Sequence, residues 1–276
     1  MLPTVAIQGF EGSFHQIAAR HYFGPTTQTA PCATFGDVIR QVAEGQTDAA
    51  VMAIENSIAG SILPNYTLLR KSGLRVMGEV YLRIQQHLLA LPGQQLTDIR
   101  EVHSHPMALL QCTDFLVKQP TWRLVETEDT ALSARRIREG HQTGIAAIAG
   151  QLAAELFDLD IIAPSIQTEK KNYTRFLVIA KPENALAVEQ PNKASLYFHT
   201  SHAQGSLARV LVRIADLGIN LSKLQSFPKP GSTWNYYFHA DLEFDHPDQF
   251  EAALREMQPV TESVQVLGVY HKGTTH

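Results

Sequence analysis

The side chains best suited to chemistry lie just before a short apolar run. Asn172, Thr174 and Arg175 bring an amide, a hydroxyl and a guanidinium to the start of residues 177–180, which are all aliphatic. An unbroken aliphatic run is typical of a strand buried on both faces, and such a strand would hold its first residues in fixed positions. A polar triplet before a strand is also an ordinary loop-to-sheet junction, so the rest of the chain must decide.

A second polar group follows another predicted strand. Residues 49–54 are apolar, and Glu55, Asn56 and Ser57 come directly after them. In open α/β sheets ligands bind beyond the carboxyl ends of the strands, so these side chains lie where a binding site is expected. The alternative is that Asn56 and Ser57 cap the following helix while Glu55 faces solvent.

A glycine turn joins a predicted strand, residues 4–8, to a predicted helix, residues 14–23. Gly9, Gly12 and Ser13 stand in this turn. The N–H groups at a helix start can hold a carboxylate, with Ser13 as the N-cap or as a direct donor. The turn lacks the GxGxxG spacing of dinucleotide sites, so no NAD is predicted, and a plain strand-to-helix turn stays open as an alternative.

The histidines do not predict a metal centre. His103 and His105 have HxH spacing, but no Asp, Glu or Cys lies at an interval typical of a metal site. Ser104 stands between them at the end of a predicted strand and is the better candidate for a hydrogen bond to a ligand. His87 lies among apolar residues, where a structural role is more common than a catalytic one.

The composition favours a globular protein that acts on a small molecule. The chain has 276 residues, of which 44% are hydrophobic and 18% charged, and its net charge of −4 argues against nucleic acid or an anionic membrane as partner. Cys32 and Cys112 are far apart and predict buried thiols. No basic leader and no apolar stretch of about 18 residues is present, so a cytoplasmic location is expected.

The order of the predicted elements indicates an α/β protein with two domains. Residues 1–181 read as two α/β lobes around a central cleft, similar to type 2 periplasmic binding proteins, with an extended run over residues 75–91 crossing between the lobes. Residues 182–193 are polar and bounded by prolines, which predicts a linker. Residues 194–276 follow a βαββαβ pattern, in which alternation from Trp234 to Phe244 predicts a half-buried antiparallel strand after a turn that includes Pro230.

Several separated motifs together resemble one family, the monofunctional prephenate dehydratases with a C-terminal ACT regulatory domain. The resemblance covers nearly the whole chain, and it rests on the order and spacing of the motifs more than on any single motif. The matching segments are residues 9–14, 53–61, 78–89, 104–106, 129–131, 146–148 and 172–176.

The resemblance implies an activity without a cofactor or a metal: the conversion of prephenate to phenylpyruvate, with loss of CO₂ and water, in L-phenylalanine biosynthesis. It implies that Thr174 is the essential threonine, donating a hydrogen bond or proton to the departing hydroxyl. Arg175 would orient Thr174 or bind a carboxylate, and Phe176 would pack against the substrate ring. The remaining residues implied for substrate binding are Ser13, Glu55, Asn56, Ser57 and Ser104.

The resemblance also implies an effector site for phenylalanine and a homodimer or homotetramer. The family's two effector motifs correspond here to Gly205, Ser206, Leu207 and Ala208, and to Gln225 and Ser226 with Phe227 and Pro228. Here Gln225 replaces a glutamate and Phe227 replaces an arginine, so two charges of the family motif are missing. Met107 likewise replaces a glutamine of the catalytic half.

Three alternatives stay open. The first is an arogenate dehydratase that makes phenylalanine directly, since residues 61–66 and 88–92 also resemble the plant enzymes. The second is a non-catalytic protein that senses amino acids, against which the presence of Thr174 argues. The third, an unrelated solute-binding protein, is weakened by the lack of a signal peptide.

Overall fold

A computed structural model describes residues 3–185, 188–229, 231 and 235–276. Trp234 and Pro230, which the sequence assigned to a strand and to a turn, lie outside the described residues. Contacts divide the chain into a first unit, Met1–Ile62 with Val80–Phe176 and Thr275–His276, and a second unit, Leu63–Glu79 with Leu177–Thr274. None of the described helices combines the length and hydropathy required to cross a bilayer.

Strands and helices alternate through most of the chain. The strands are β1 Thr4–Gln8, β2 Gln28–Cys32, β3 Ala49–Asn56, β4 Gly60–Ser61, β5 Arg75–Arg83, β6 His87–Ala90, β7 Glu101–Ser104, β8 Arg123–Glu126, β9 Ile145–Ala149, β10 Asp160–Ala163, β11 Tyr173–Ala180, β12 Lys193–His199, β13 Asn220–Pro228, β14 Tyr236–Glu243 and β15 Ser263–Tyr270. The helices are α1 Phe14–Phe23, α2 Phe35–Ala43, α3 Leu63–Ser72, α4 Pro106–Gln111, α5 Thr113–Leu116, α6 Thr130–Glu139, α7 Gln151–Leu156, α8 Ser206–Asp216 and α9 Pro247–Met257.

The first sheet has the strand order β2-β1-β3-β11-β5, with β4 paired to β3. β1 pairs in parallel with both β2 and β3, and its interior residues Val5, Ala6 and Ile7 are buried. β5 and β11 begin in one unit and continue into the other. Parallel pairing aligns the carboxyl ends of β1 and β3, so the glycine turn and the polar residues at the end of β3 lie at one edge of the sheet.

The second sheet belongs to the first unit and has the strand order β10-β6-β9-β7-β8. β7 pairs in parallel with β8 and β9, while β6 is antiparallel to β9 and β10. Leu88, Val102 and Ile148 are buried in its core with Leu109 of α4. β5 and β6 belong to different sheets, so the predicted crossing over residues 75–91 is confirmed, together with the two-lobed α/β fold.

The βαββαβ pattern is confirmed in the second unit. β12, β14, β13 and β15 form an antiparallel sheet in the order β13-β14-β12-β15, covered by α8 and α9. Lys193, the last residue of the predicted linker, begins β12 and is buried, and Pro182–Asn184 forms a single 3₁₀ turn. Residues 186–187 of that linker lie outside the described residues, and the domain boundaries at 181 and 193 stay a prediction.

β14 corrects one expectation, because both of its faces are buried rather than one. His239 and Asp241 have no exposed surface. The His239 ring packs edge-on against Tyr66 of α3, with ring centroids 4.7 Å apart, and against Tyr197, at 4.9 Å. Alternation of polar residues predicted solvent on this face, but polar side chains can be buried when they bond one another.

Neighbouring side chains of the second unit bond most of the polar face of β14, although His239 Nδ1 is buried and has no hydrogen-bond partner among the described residues. Asp241 accepts a hydrogen bond from Ser195 at 2.5 Å, and one of its carboxylate oxygens lies 3.0 Å from His239 Nε2. The hydroxyls of Ser195 and Tyr270 are 2.6 Å apart. At the start of β12, Lys193 Nζ lies 2.9 Å from a carboxylate oxygen of Glu79, and both side chains are buried. These pairings allow charged and polar groups to lie in the interior.

Candidate active site

A cavity of about 400 Å³ lies in the first unit, beside the end of β3 and the start of β11. Its walls come from strand ends, helix starts and the segments between them, and they mix aromatic rings with amide, hydroxyl, imidazole and carboxyl groups. The lining residues are Gln8, Ser13, Phe14, His15, Phe35, Ala53, Asn56, Ala59, Ile62, Ile84, Gln86, His105, Met107, Ala108, Gln111, Glu128, Asp129, Thr130, Thr174 and Phe176.

Thr174 and Asn56 meet at this cavity. Asn56 is the last residue of β3, and Thr174 is the second residue of β11. The two hydrogens of the Asn56 amide nitrogen Nδ2 are shared among three acceptors, which are Thr174 Oγ1 at 3.0 Å, Asn172 Oδ1 at 2.7 Å and the Tyr173 carbonyl at 3.2 Å. The first two polar groups found in the sequence, 118 residues apart, therefore form one hydrogen-bonded cluster.

The orientation of the Asn56 amide follows from its other contacts. Its Oδ1 accepts the backbone N–H groups of Ile58 at 3.0 Å and Ala59 at 2.9 Å, which only an oxygen can do. Nδ2 must therefore face Thr174, and Thr174 Oγ1 accepts a hydrogen bond. Accepting this bond leaves the Thr174 hydroxyl hydrogen available for a different acceptor.

The cluster extends to α4 through Asn172. This residue is fully buried, and its Nδ2 donates to Gln111 Oε1 at 3.2 Å. The segment before β11 is held at the same time by Ser57, whose hydroxyl accepts from the Tyr173 N–H at 2.9 Å and donates to the Lys171 carbonyl at 3.3 Å. The start of β11 is therefore fixed from both sides, as a positioned donor requires.

The start of α1 supplies another wall. Ser13 is the N-cap of α1 and accepts from the Gln16 N–H at 3.4 Å, while Gln16 Oε1 accepts from the Gly12 N–H at 2.7 Å. Both Ser13 and the start of α6 at Thr130 line the cavity. Helix starts offer N–H groups and a partial positive charge, so the start of α1 favours an anionic ligand.

His15 is a member of the site that the sequence did not single out. Its Nε2 accepts the Ala53 N–H at 3.3 Å, and its ring meets Phe176 edge-on, with centroids 5.0 Å apart. Burial lowers the pKa of His15 to about 4. The imidazole is therefore neutral at physiological pH, and its proton lies on Nδ1.

The lowered pKa of His15 predicts acid sensitivity. An unfolded chain protonates histidine near its ordinary pKa of about 6.5, whereas the folded chain keeps His15 neutral down to about pH 4. The unfolded state therefore binds more protons between these values, and the free energy of unfolding falls with falling pH by up to about 1.4 kcal/mol per unit. His15→Gln should flatten this slope in urea titrations from pH 7 to pH 4, whereas the exposed His202→Gln should not. An unchanged slope in His15→Gln would contradict the assignment.

Asp129 brings a carboxyl group to the cavity. It is the N-cap of α6 and accepts from the Leu132 N–H at 2.8 Å. Burial raises the pKa of Asp129 above its ordinary value, against the opposing effect of hydrogen bonds from the Leu132 and Ala131 N–H groups. Glu128 is the other carboxylate at the cavity, and no Lys or Arg stands among the described lining residues.

Gly9 leaves room for Asp129. A Cβ at Gly9 would lie 2.8 Å from Asp129 Oδ2, and Gly9 has φ +94°. Gly9→Ala should lower the free energy of unfolding by about 1–3 kcal/mol through left-handed strain, and should change KM by displacing Asp129. Gly24→Ala is the matched control, because φ is +106° there but nothing lies within 4 Å of the added Cβ. Urea titration and steady-state kinetics of both variants test this, and equal effects of the two would disprove a role for the contact.

Comparisons with known proteins agree with this architecture. The sequence profile described as Prephenate dehydratase matches residues 5–184. A bifunctional chorismate mutase/prephenate dehydratase from Enterobacter agglomerans is 32% identical over 270 residues, which span 96% of this chain and 70% of that protein. The chain belongs to the prephenate dehydratase family.

Two solved structures extend the comparison to the whole fold. The prephenate dehydratase of Staphylococcus aureus subsp. aureus Mu50 is 26% identical, with a TM-score of 0.83 over 97% of this chain and all of that one. A protein described as GqqA, a novel type of quorum quenching acylase, is 32% identical, with a TM-score of 0.87 over 98% of both chains. The family resemblance found in the sequence is confirmed.

For this prephenate dehydratase family member, the cavity brings together four of the eight predicted site residues: Ser13, Asn56, Thr174 and Phe176. Ser57 contacts the start of β11 but is not among the residues that line the cavity. Glu55 lies next to Asn56 on β3 and also stands outside the lining, since neighbours along a strand face opposite sides. The roles of all of these residues stay predictions.

Ser104 and Arg175 lie away from the cavity. Ser104 is fully buried and donates to the Ile148 carbonyl at 2.6 Å, so its hydroxyl joins neighbouring strands of the second sheet. Arg175 alternates with Thr174 and Phe176 along β11, and its guanidinium carbon lies 6.0 Å from the Tyr81 ring centroid. Neither position favours a contact with a ligand in this cavity.

Four of the predicted effector residues line a separate cavity of about 380 Å³ in the second unit. These are Gly205, Ser206, Leu207 and Ala208, at the start of α8. Gln225 and Ser226 lie on β13 and are not among the residues that line it. The predicted effector set is therefore divided between two places in the second unit.

His15, Gln111 and Asp129 are among the site residues that the sequence analysis did not predict, although Asp129 lies in the matching segment 129–131. Asp129 could have been found from its place before a predicted helix, where a carboxylate caps the first turn. His15 and Gln111 carry no such local signal, because their importance depends on contacts with Ala53 and Asn172, 38 and 61 residues away.

Proposed function

We propose that this protein is a prephenate dehydratase that converts prephenate to phenylpyruvate in the biosynthesis of L-phenylalanine. The observation that carries the proposal is the hydrogen bond from Asn56 Nδ2 to Thr174 Oγ1, because it leaves the Thr174 hydroxyl as a donor at the cavity. Thr174 is the residue that the family resemblance implies to be essential.

The reaction needs a donor of this kind. The bond between the ring and its carboxylate breaks, and its electron pair enters the ring as CO₂ leaves. The ring C–O bond breaks at the opposite carbon, and its pair stays on oxygen, which becomes water once a proton is added. Aromatisation drives the change, and the Thr174 hydrogen bond stabilises the negative charge that develops on the departing oxygen.

Prephenate carries two carboxylates, and the donors that the cavity lining offers to them are neutral. The start of α1 offers N–H groups at the cavity near Ser13, whereas the Leu132 and Ala131 N–H groups in the first turn of α6 already bond Asp129. Phe14, Phe35 and Phe176 provide apolar walls, which strengthen hydrogen bonds by keeping water away from the reacting ring.

Asp129 should make substrate affinity depend on pH. Above its raised pKa the Asp129 carboxylate is charged and repels a dianionic substrate, so KM should rise as pH rises through that pKa. Asp129→Asn keeps an N-cap for α6, and should lower KM by about threefold to tenfold at neutral pH, since about 1.4 kcal/mol corresponds to tenfold. Steady-state kinetics from pH 5 to pH 8 test this, with Asp37→Asn, which lies outside the cavity lining, as control. A KM that varies with pH equally in Asp129→Asn and the original protein would contradict it.

The direct test compares prephenate and arogenate as substrates of the same preparation. Phenylpyruvate and phenylalanine are quantified by liquid chromatography at matched substrate concentrations. A prephenate dehydratase gives the higher kcat/KM with prephenate. A higher value with arogenate would identify an arogenate dehydratase, and binding without turnover of either substrate would identify an amino-acid-sensing protein.

We further propose that L-phenylalanine is an effector, bound in the cavity at the start of α8. The support is the coincidence of Gly205, Ser206, Leu207 and Ala208 at one cavity. Without the charges replaced at Gln225 and Phe227, the amino acid would be held by backbone groups and hydroxyls. Turnover of prephenate with added L-phenylalanine, and with D-phenylalanine as control, tests this. Light scattering during size-exclusion chromatography distinguishes the two proposed oligomers, a homodimer and a homotetramer.

The likeness to GqqA favours acylase activity as a second candidate function. That protein is 32% identical over nearly the whole chain and is described as a quorum quenching acylase. Hydrolysis of an N-acyl homoserine lactone, followed by mass spectrometry of the released fatty acid, tests it. Release by the original protein but not by Thr174→Ala would assign the acylase reaction to the same cavity, and no release would exclude this candidate.

A further inference from the structure

A second and larger cavity of about 820 Å³ lies in the first unit, away from Thr174. It is bounded by α1, by α7 and by the segment over residues 82–87, where the chain crosses from the first sheet to the second. Apart from Phe14, its lining residues are not shared with the candidate active site. A cavity of this size has room for a small organic ligand.

The walls of this second cavity combine apolar surface with positive charge. Ile17, Leu82 and Leu152 provide aliphatic surface, and the charged side chains of the lining are the guanidinium groups of Arg20 and Arg83 and the carboxylate of Glu155. Glu155 accepts a hydrogen bond from Gln151 Nε2 at 2.7 Å, so part of its charge is already compensated. The fixed charges therefore favour an anion whose body is apolar.

The Arg20 side chain has an unsatisfied hydrogen-bond donor. Its Nε is buried and has no hydrogen-bond partner among the described residues. A buried N–H without an acceptor costs free energy, and such a donor in a cavity is readily explained by a ligand that accepts from it. Arg83 Nε is held by the Lys170 carbonyl at 3.2 Å, which positions its guanidinium at the rim.

Three imidazole rings also line the second cavity. His21 and His276 stack with ring centroids 4.4 Å apart, and both line it. His87 Nδ1 accepts the Ser165 N–H at 3.1 Å, so its neutral ring carries the proton on Nε2, which is a further donor. Flat rings beside guanidinium groups suit an aromatic carboxylate.

We propose that the second cavity binds a small carboxylate with an aromatic body, and that its occupancy changes the substrate affinity of the candidate active site. Phe14 lines both cavities, between Ser13 and His15 of the first one. The Phe14 ring also touches the start of α7, since a Cβ at Gly150 would lie 3.1 Å from its Cε1. A ligand that shifts α1 or α7 therefore moves a wall of the active site.

The binding test uses 3-phenylpropionate as probe, with isothermal titration calorimetry on the full chain. Arg20→Met and Arg83→Met each remove one guanidinium and should weaken the second-cavity binding by about 10- to 100-fold, as expected for a charge-assisted hydrogen bond. Arg135→Met is the control, because this exposed residue pairs with Glu139 and lines neither cavity. If circular dichroism shows that Arg20→Met is unfolded, the variant Arg83→Met, at an exposed position, still tests whether the second cavity binds the probe.

The functional test measures KM for prephenate with and without the probe. Competition between the probe and prephenate at the first cavity is the same in all variants. A change in KM caused by the probe therefore belongs to the second cavity if it occurs in the original protein and in Arg135→Met but is lost in Arg83→Met. Absence of probe binding, binding unaffected by both Arg20→Met and Arg83→Met, or binding there with no change in KM would each overturn the proposal. The calorimetric result does not depend on the proposed reaction, so failure of the two proposals can be told apart.

Discussion

Replacing Thr174 by Ala is expected to lower kcat for prephenate by at least about 10²-fold, as for the loss of an oxyanion-hole donor. The reason is geometric, because the Asn56 amide occupies the acceptor side of the Thr174 hydroxyl at 3.0 Å and leaves its hydrogen for the departing oxygen. KM should change little, since the donor acts mainly as negative charge develops. Steady-state kinetics on protein with an unchanged circular dichroism spectrum provide the measurement.

Two controls separate chemistry from packing. Thr174→Ser keeps the hydroxyl and should retain most of the turnover, whereas Thr174→Val keeps the shape without the hydroxyl and should match Thr174→Ala. Thr113→Ala removes a hydroxyl that donates to the Leu110 carbonyl outside the cavity, and should leave kcat unchanged. Near-normal turnover in a folded Thr174→Val would remove Thr174 from the catalytic role.

The largest effect on stability is expected from Lys193→Met in the second unit. Lys193 Nζ lies 2.9 Å from Glu79 Oε1 and 3.2 Å from Glu243 Oε1, and both Lys193 and Glu79 are buried. Removing the ammonium group leaves the Glu79 carboxylate in the interior without its cation, which costs about 3–5 kcal/mol. The Gly273 N–H, which donates to the same oxygen at 3.0 Å, replaces only part of this interaction.

Urea denaturation followed by fluorescence and circular dichroism measures this loss. Lys272→Met is the matched control, because Lys272 also pairs with Glu243 but is half-exposed, and exposed pairs contribute about 0–1 kcal/mol. The double variant Lys193→Met with Glu79→Gln should recover more than half of the lost stability, since no buried charge is then left alone. A loss below that of Lys272→Met would show that the buried pair contributes little.

Local patterns were enough to predict the class of fold. Alternation along a strand and 3.6-residue periodicity along a helix depend only on near neighbours, so the βα units and the βαββαβ order could be read from the chain. The same is true of the N-cap at Ser13 and of the crossing from β5 to β6, both of which the structure confirms. β2 has a weaker pattern, with prolyl and polar residues, and was missed.

Whether a side chain is buried or exposed was predicted less well than the strand or helix to which it belongs. β14 reads as half-buried because His239 and Asp241 are polar, yet Tyr66 and Tyr197 cover that face and Ser195 bonds the carboxylate. Neighbours 42 or more residues away in the chain decide whether these polar side chains can be buried. Sequence periodicity does not contain this information.

By itself the sequence determined the α/β architecture, the family and the segments from which the candidate site is built, including Thr174 and Asn56. These follow from local periodicity and from the order of short motifs. The tertiary structure alone decided that the Asn56 amide faces Thr174, that His15 and Asp129 join them, and that Ser104 and Arg175 lie elsewhere. The physical reason is that hydrogen-bond direction, burial and pKa depend on groups brought together from distant parts of the chain.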